Sequence, residues 1–300
     1  LIDRLRIDRT LRVLCGWRYT NDIPSESKFS RVFKELSDLN IAQKTHEKFV
    51  KEYLSQKTFF YNATDATKIP LREKAVKKEK VKKVKRKAGR PKKGEAREAI
   101  KPKILEQQKE MQTVEEMLCL VSTECGVGIK QNSKGNKEVW IGGKLHISAV
   151  DGDIPIIAFY SGANVHDSSV SLPLIQETSK RVNYLYDLQD AGYDADIIRE
   201  FSTALGHRPI IDINPKNSKE LKVKIEVQKD EQKKFEMLSL AQSSDTHHYN
   251  QRSMVERVNK YLKEDFGCNT IYYQGATKVA SVLAFGILSV CIHQSLKLVT

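Results

Sequence analysis

The segment 72–103 limits what this 300-residue chain can fold into, because a segment of its composition cannot be part of a packed core. It holds sixteen Lys and Arg against four Glu, a net charge of +12, whereas the whole chain carries +13. A run so rich in like charge remains solvated rather than packed. The sequence therefore predicts a nearly neutral folded body that is interrupted by a basic, disordered linker.

A short motif inside this segment suggests what the charge is for. Gly89-Arg90-Pro91 is followed by Lys92 and Lys93, and it resembles the centre of an AT-hook, which places an arginine in a narrow minor groove of DNA. Runs of Lys and Arg also release counterions from any nucleic-acid backbone. We predict that Arg90, Lys92 and Lys93 contact DNA. The alternative is a plain solvated linker or a targeting signal.

Several protein classes are disfavoured. The five cysteines form no CxxC pair and have no histidines at zinc-ligand spacing, which argues against a disulfide scaffold or a zinc finger and fits a reducing compartment. No cleavable signal peptide is visible. The longest apolar run, 279–292, is too short to span a bilayer and predicts a buried helix. We expect a cytoplasmic protein without a membrane partner.

Hydrophobic periodicity divides the remaining chain into two regions. Residues 1–57 predict three short helices, which are either a small DNA-binding module or a cap on the main body. From residue 58 onward the order is strand, hairpin, helix, strand, helix, strand and further helices, which is typical of an α/β fold with a mixed sheet flanked by helices. The predicted strands are 58–64, 139–150, 154–161, 184–188 and 208–214; the predicted helices are 104–120, 167–180, 194–205, 219–241, 249–266 and 279–298.

Two aspartates are placed by these strands. Asp65 and Asp190 each come at the end of a predicted strand, which is where ligands gather in such sheets. Both are therefore candidate metal ligands. The aspartates at positions 151, 153, 167, 187, 194 and 196 are rivals. Asp151 and Asp153 are more typical of a turn, Asp167 of a helix N-cap, and Asp194 of a capping or supporting residue.

The helix predicted over 249–266 carries a polar stripe. At 100° per residue, Tyr249, Arg252, Glu256 and Lys263 fall within an arc of roughly 60°, opposite an apolar face. A carboxylate beside two cations can hold a divalent ion while the cations bind phosphate. The alternative is an ordinary solvated face with a Glu–Arg pair along the helix.

The spacing of this stripe, Tyr-x2-Arg-x3-Glu-x6-Lys, resembles the signature of bacterial insertion-sequence transposases of the DDE type. Three further blocks in the same order resemble that family: Asp65-Ala66-Thr67, the segment 164–168 and the segment 190–194. The resemblance spans residues 58–300. Residues 1–57 resemble the helical leader of such transposases.

The resemblance implies a ribonuclease H-like catalytic domain, made of residues 58–71 and 104–300, with the linker inserted after its first strand. It implies that Asp65, Asp190 and Glu256 are both the catalytic residues and the ligands of two Mg²⁺ ions, for which Mn²⁺ substitutes. Mg²⁺ binds a few carboxylates together with water and substrate phosphate. Two such ions can activate the attacking oxygen and stabilise the leaving one.

By the same resemblance, Thr67, Tyr249, Arg252 and Lys263 contact DNA. The implied activity is that of a transposase that binds terminal inverted repeats, cleaves them and transfers the 3′ ends to target DNA. The expected partners are double-stranded DNA and a second copy of the chain, in a homodimer associated with the bacterial nucleoid. Two alternatives are a catalytically inactive DNA-binding descendant and a metal-dependent nuclease that does not join strands.

Overall fold

The computed structural model describes residues 1–76, 102–131, 135–215, 218–239 and 244–298. Most of the predicted linker, with Arg90, Lys92 and Lys93, lies outside these residues. The described elements are α1 (Ile2–Ile7), α2 (Arg9–Leu14), α3 (Glu26–Asp38), α4 (Ile41–Tyr53), β1 (Thr58–Pro70), α5 (Ile104–Lys109), α6 (Val114–Cys119), β2 (Gly126–Gln131), β3 (Lys137–Val150), β4 (Ile154–Gly162), α7 (Ser171–Arg181), β5 (Asn183–Gln189), α8 (Asp196–Ala204), β6 (Arg208–Ile211), α9 (Lys219–Ser239), α10 (Ser244–Asn250), α11 (Ser253–Glu264) and α12 (Ala276–Lys297).

The described strands form one mixed sheet of six, in the order β2-β3-β1-β5-β6, with β4 paired to the second half of β3. β1 is antiparallel to β3 and parallel to β5, and β5 is parallel to β6. Helices cover both faces: α11 and α12 pack on one, and α7 and α8 on the other. The predicted mixed α/β sheet with flanking helices is confirmed.

β1 is longer than predicted. The sequence indicated a strand over 58–64, whereas β1 continues to Pro70. β3 pairs with it along this extension, from Asn62 opposite Val150 to Pro70 opposite Gly142. The sequence after residue 64 is too polar to predict a strand by itself, and this part of β1 is stabilised by its pairing with β3.

Three predicted helices are each divided in two. The predicted 104–120 helix consists of α5 and α6, and the first N-terminal helix consists of α1 and α2. Asp8 separates α1 from α2, and its carboxylate accepts a hydrogen bond from the amide of Leu11 at 2.9 Å. The predicted 249–266 helix is α10 and α11. Between them, amides bond to carbonyls three residues earlier, as from Arg252 to Tyr249 at 2.9 Å. Tyr249 therefore lies in α10, whereas Arg252 is the N-cap residue directly before α11, and the single-helix prediction was wrong.

The N-terminal helices lie against the main body. α3 and α4 pack on α12, and His46 of α4 donates its Nε2 proton to the carbonyl of Pro155 at 3.0 Å. Val50 and Leu54 of α4 share a buried apolar group with Phe59 at the start of β1. Their packing is that of a helical layer over the end of the sheet.

One helix, α12, is long and apolar enough to cross a membrane by length and composition among the described residues. Its neighbours are α3, α4, α11 and β4. Val279, Leu283, Ile287 and Val290 are buried in the main core. These contacts match the prediction of a buried helix.

A buried polar network fixes the register of β1 and β5. Asn62 lies directly opposite Asp187 and donates its amide to that carboxylate at 3.2 Å. Ser202 of α8 donates to the other carboxylate oxygen at 2.9 Å, and Ser148 of β3 donates to the Asn62 side-chain oxygen. Because a shift of one residue would turn these groups to the other face, the network holds both strands in one alignment.

Candidate active site

The β1–β5 register brings Asp65 and Asp190 together. Its last pair is Thr64 opposite Gln189, so the two aspartates occupy the next position on neighbouring strands. Asp190 follows the end of β5, as predicted, and accepts a hydrogen bond from the amide of Gly192 at 2.8 Å. Asp65 lies inside β1 rather than at its end, and that part of the prediction was wrong, because only β5 stops here while β3 continues the sheet.

The electrostatics of Asp65 reflect a crowded carboxylate. Burial raises the pKa of Asp65 to about 6, and the negative charge of Asp190 acts in the same direction. Hydrogen bonding to the backbone of Ala66 and the charges of Arg252 and Lys130 oppose the shift. A cation beside Asp65 would stabilise its ionised carboxylate, which burial and the charge of Asp190 both disfavour.

α11 supplies the polar groups that lie over these aspartates. Arg252 donates to the Glu256 carboxylate at 2.7 Å, and its charge also acts on Asp65. Asn259 donates to Asp65 at 3.3 Å. Lys263 donates to the hydroxyl of Thr67, two residues further along β1. The helix thus contacts both Asp65 and Thr67 through its polar stripe, while its apolar face packs in the core.

Tyr249 reaches the same place from α10. Its ring lies under the Arg252 guanidinium, with 5.7 Å between the guanidinium carbon and the ring centroid. Burial raises the pKa of Tyr249 to about 12, and the neighbouring Asp212 carboxylate, to which its hydroxyl is hydrogen-bonded, adds to the shift. The phenol therefore stays protonated at neutral pH and fixes the position of Arg252.

Carboxylate oxygens suit a hard divalent ion, but Glu256 does not join Asp65 and Asp190 in one group of side chains. Among the described residues, no three Asp, Glu, His or Cys side chains form a group that could hold a metal ion. Glu256 is paired with Arg252 instead, and its side chain is about half exposed. Glu256 lies one helical turn from Asn259, which contacts Asp65. The side chains of Glu256 and Asn259 therefore lie on the same face of α11.

The rival aspartates have other partners. Asp151 accepts hydrogen bonds from the amides of Phe60 and Tyr61 at the β3–β4 turn. Three others form ion pairs: Asp153 with Arg257, Asp167 with Lys144 and Asp194 with Arg199. Asp187 accepts hydrogen bonds from Asn62 and Ser202 on the other face of the sheet, and Asp196 is exposed in the first turn of α8. These contacts are structural.

Sequence reasoning missed Asn259 and Lys130. Asn259 falls on the polar stripe, three residues after Glu256, and a polar residue at this spacing was the available signal. Lys130 lies on β2, a strand that the sequence did not indicate because Gly126 and Gly128 weaken its pattern. Arg90, Lys92 and Lys93 lie outside the described residues, so their predicted contact with DNA stays a prediction.

Comparison with known proteins gives one match. The family model described as the transposase DDE domain matches residues 62–292, which include Asp65, Asp190 and the whole of α11. No curated protein and no solved structure matches the chain.

Proposed function

The chain belongs to the transposase DDE domain family, and from that premise we propose that it is a metal-dependent transposase with a ribonuclease H-like catalytic domain. Membership in this family implies an enzyme of the nuclease or transferase kind that acts on DNA. One observation supports the active site more than any other: Asp65 and Asp190 are register neighbours beneath a helix that carries Arg252, Glu256 and Lys263.

In this proposal Asp65, Asp190 and Glu256 hold two Mg²⁺ ions, which Mn²⁺ can replace. When bound at these carboxylates, two such ions would supply the activation of an attacking oxygen and the stabilisation of the leaving oxygen of a phosphodiester. Asn259 orients the Asp65 carboxylate through its 3.3 Å hydrogen bond. Arg252 contacts one Glu256 oxygen, so the second oxygen would be the metal ligand, while the other N–H groups of the guanidinium would bind a phosphate.

The remaining contacts follow from the same arrangement. The Tyr249 ring packs against the Arg252 guanidinium. Lys263 and Thr67 are hydrogen-bonded to each other, and in this proposal both bind the DNA backbone. We extend the proposal to the bacterial insertion-sequence class: the chain acts in the cytoplasm as a homodimer on terminal inverted repeats and joins their 3′ ends to target DNA.

A cleavage assay tests the proposal. The substrate is a plasmid that carries the gene of this chain together with its flanking DNA, incubated with Mg²⁺ or Mn²⁺. Asp190→Asn should abolish strand cleavage and retain DNA binding, because it removes one ligand charge. Asp196→Asn is the matched control: Asp196 is exposed in the first turn of α8, and its loss should leave cleavage unchanged.

The products separate the alternatives. Cleaved ends that become covalently joined to a second plasmid support a transposase. Cleavage without joined products favours a nuclease. Binding without cleavage in either metal favours an inactive descendant, and equal cleavage by wild type and Asp190→Asn would contradict the proposed site.

A further inference from the structure

Three lysines from three different elements meet at the far end of β1, beyond the candidate active site. Lys263 of α11 contacts Thr67, the residue before Lys68 in β1. Lys68 forms an ion pair with Glu138 of β3. Lys130 of β2 lies directly opposite Glu138 in the β2–β3 ladder. We call Lys68, Lys130 and Lys263 the lysine cluster.

The lysine cluster concentrates more positive than negative charge. Burial lowers the pKa of Lys263, and the charges of Lys68 and Lys130 lower it further. Within this group Glu138 carries one negative charge against three positive charges, and Asp65 is the other carboxylate whose charge acts on Lys263. Like charges held this close repel one another, and an anion with several oxygens relieves the repulsion.

The lysine cluster is both accessible and connected to the active site. Lys130 is exposed, and the Lys68 and Glu138 side chains are 35% and 51% exposed. The charge of Lys130 also acts on Asp65. Lys68 lies three residues beyond Asp65 in β1, and Lys130 lies on β2, the edge strand that β3 separates from β1. The lysine cluster therefore extends from the active site toward this edge of the sheet.

We propose that the lysine cluster binds successive phosphodiester groups of the DNA strand that extends away from the Asp65–Asp190 pair. In the absence of DNA, Glu138 forms an ion pair with Lys68, and a phosphate group of the DNA replaces Glu138 as the partner of Lys68. The inference rests on the proposed function for the identity of the ligand as DNA. Its new content is the assignment of Lys68 and Lys130 as phosphate-binding residues and of Glu138 as their competitor.

The test measures DNA affinity in EDTA, so that the metal ligands do not contribute. The probe is a short duplex of mixed sequence, and its dissociation constant is determined at several salt concentrations. Lys68→Gln and Lys130→Gln should each weaken binding about fivefold near 0.15 M salt and reduce the slope of log K against log salt by about 0.9. Glu138→Gln should bind more tightly than wild type, because it releases Lys68.

A second ion pair provides matched controls. Lys109 and Glu200 are 2.8 Å apart on helices distant from α11, so Lys109→Gln and Glu200→Gln change the net charge by the same amounts. Both should leave the affinity and the salt slope unchanged. Melting temperatures of the five variants and the wild type verify that the comparison is between folded chains.

The outcomes distinguish this inference from the proposed function. Equal losses in Lys68→Gln and Lys109→Gln, or no gain in Glu138→Gln over Glu200→Gln, would show that only net charge matters and would overturn the site. Those results would leave the Asp190 cleavage experiment unaffected. A wild-type chain that does not bind the duplex at all would contradict both.

Discussion

At the scale of single residues, the candidate site depends on Asp65, whose carboxylate accepts a hydrogen bond from Asn259 of α11. The position of Asp65 beside Asp190 was predictable, because each aspartate follows a β-rich segment and belongs to a short motif. Its contact with Asn259 was not, since the hydrogen bond joins residues 194 positions apart. A Glu–Arg ion pair along the helix was one of the two interpretations of the polar stripe, and the structure contains this pair between Glu256 and Arg252.

Two buried histidines make stability depend on pH. Burial lowers the pKa of His46 from 6.5 to about 4, and the charge of Arg181 contributes. Burial likewise lowers the pKa of His146 to about 4. Because the folded state resists protonation, the stabilisation is complete above pH 6.5 and is lost as the pH falls toward 4.

Urea unfolding between pH 7 and pH 4 measures this effect. Each histidine should lower the free energy of unfolding by an amount on the order of 3 kcal/mol over the full range. Protonation of Asp65, whose pKa is raised to about 6, acts in the opposite direction in the same window, so the histidine contribution is read from the difference between wild type and variant. His46→Gln retains a donor for the carbonyl of Pro155 and should flatten the pH dependence. His293→Gln, at an exposed position, should leave the curve unchanged, and an equal effect of both variants would contradict the account.

Whole elements differ in how strongly the sequence specifies them. β5, β6 and α12 were placed to within a few residues because their apolar patterns are clear. The extension of β1 and the presence of β2 were not, because each depends on β3 as a partner rather than on its own composition. The break between α10 and α11, where amides bond to carbonyls three residues earlier, is marked by no glycine or proline in the sequence.

Gly142 is the point at which β3 exchanges its neighbours. It is the last residue paired with β1 and with β2, and β4 pairs from the following residue. Its φ is +153°, and an added Cβ would lie 2.1 Å from the carbonyl oxygen of Ile69. A side chain at this position therefore separates the strands that carry the candidate site.

Gly142→Ala should reduce the free energy of unfolding by about 3 kcal/mol, from backbone strain combined with overpacking. Gly206→Ala is the matched control, because Gly206 has a φ of +90° and nothing within 4 Å of an added Cβ. It should cost only about 1 kcal/mol. Similar losses in denaturant titrations of both variants would show that the close approach to Ile69 does not matter.

On the scale of the whole molecule, a nearly neutral body is joined to one strongly basic segment. The segment 72–103 carries +12 of the net +13, and residues 77–101 lie outside the described part of the chain. The lysine cluster and Arg252 are positive sites on the folded body itself. DNA binding is therefore expected to have a folded component and a linker component, each with its own salt dependence.

Replacing the Lys and Arg residues within 77–101 by Gln should strongly reduce non-specific DNA affinity and flatten its salt dependence. The melting temperature should barely change, since a run so rich in like charge is predicted to lie outside the core. A narrower variant, Arg90→Ala, should lose more affinity for A/T-rich than for G/C-rich duplexes if Arg90 enters a narrow minor groove. Equal losses on both duplexes would make the segment a plain electrostatic tether.

The central claim is that Glu256 completes a metal site with Asp65 and Asp190, and α11 itself provides the control. Glu256 pairs with Arg252 four residues earlier, and Glu264 pairs with Lys260 in the same relation. The decisive measurement is the rate of Mg²⁺-dependent strand cleavage by Glu256→Gln and by Glu264→Gln. We predict that Glu256→Gln binds DNA as wild type does but loses more than about a hundredfold in rate, while Glu264→Gln cleaves normally. Cleavage by Glu256→Gln at the wild-type rate would contradict the account.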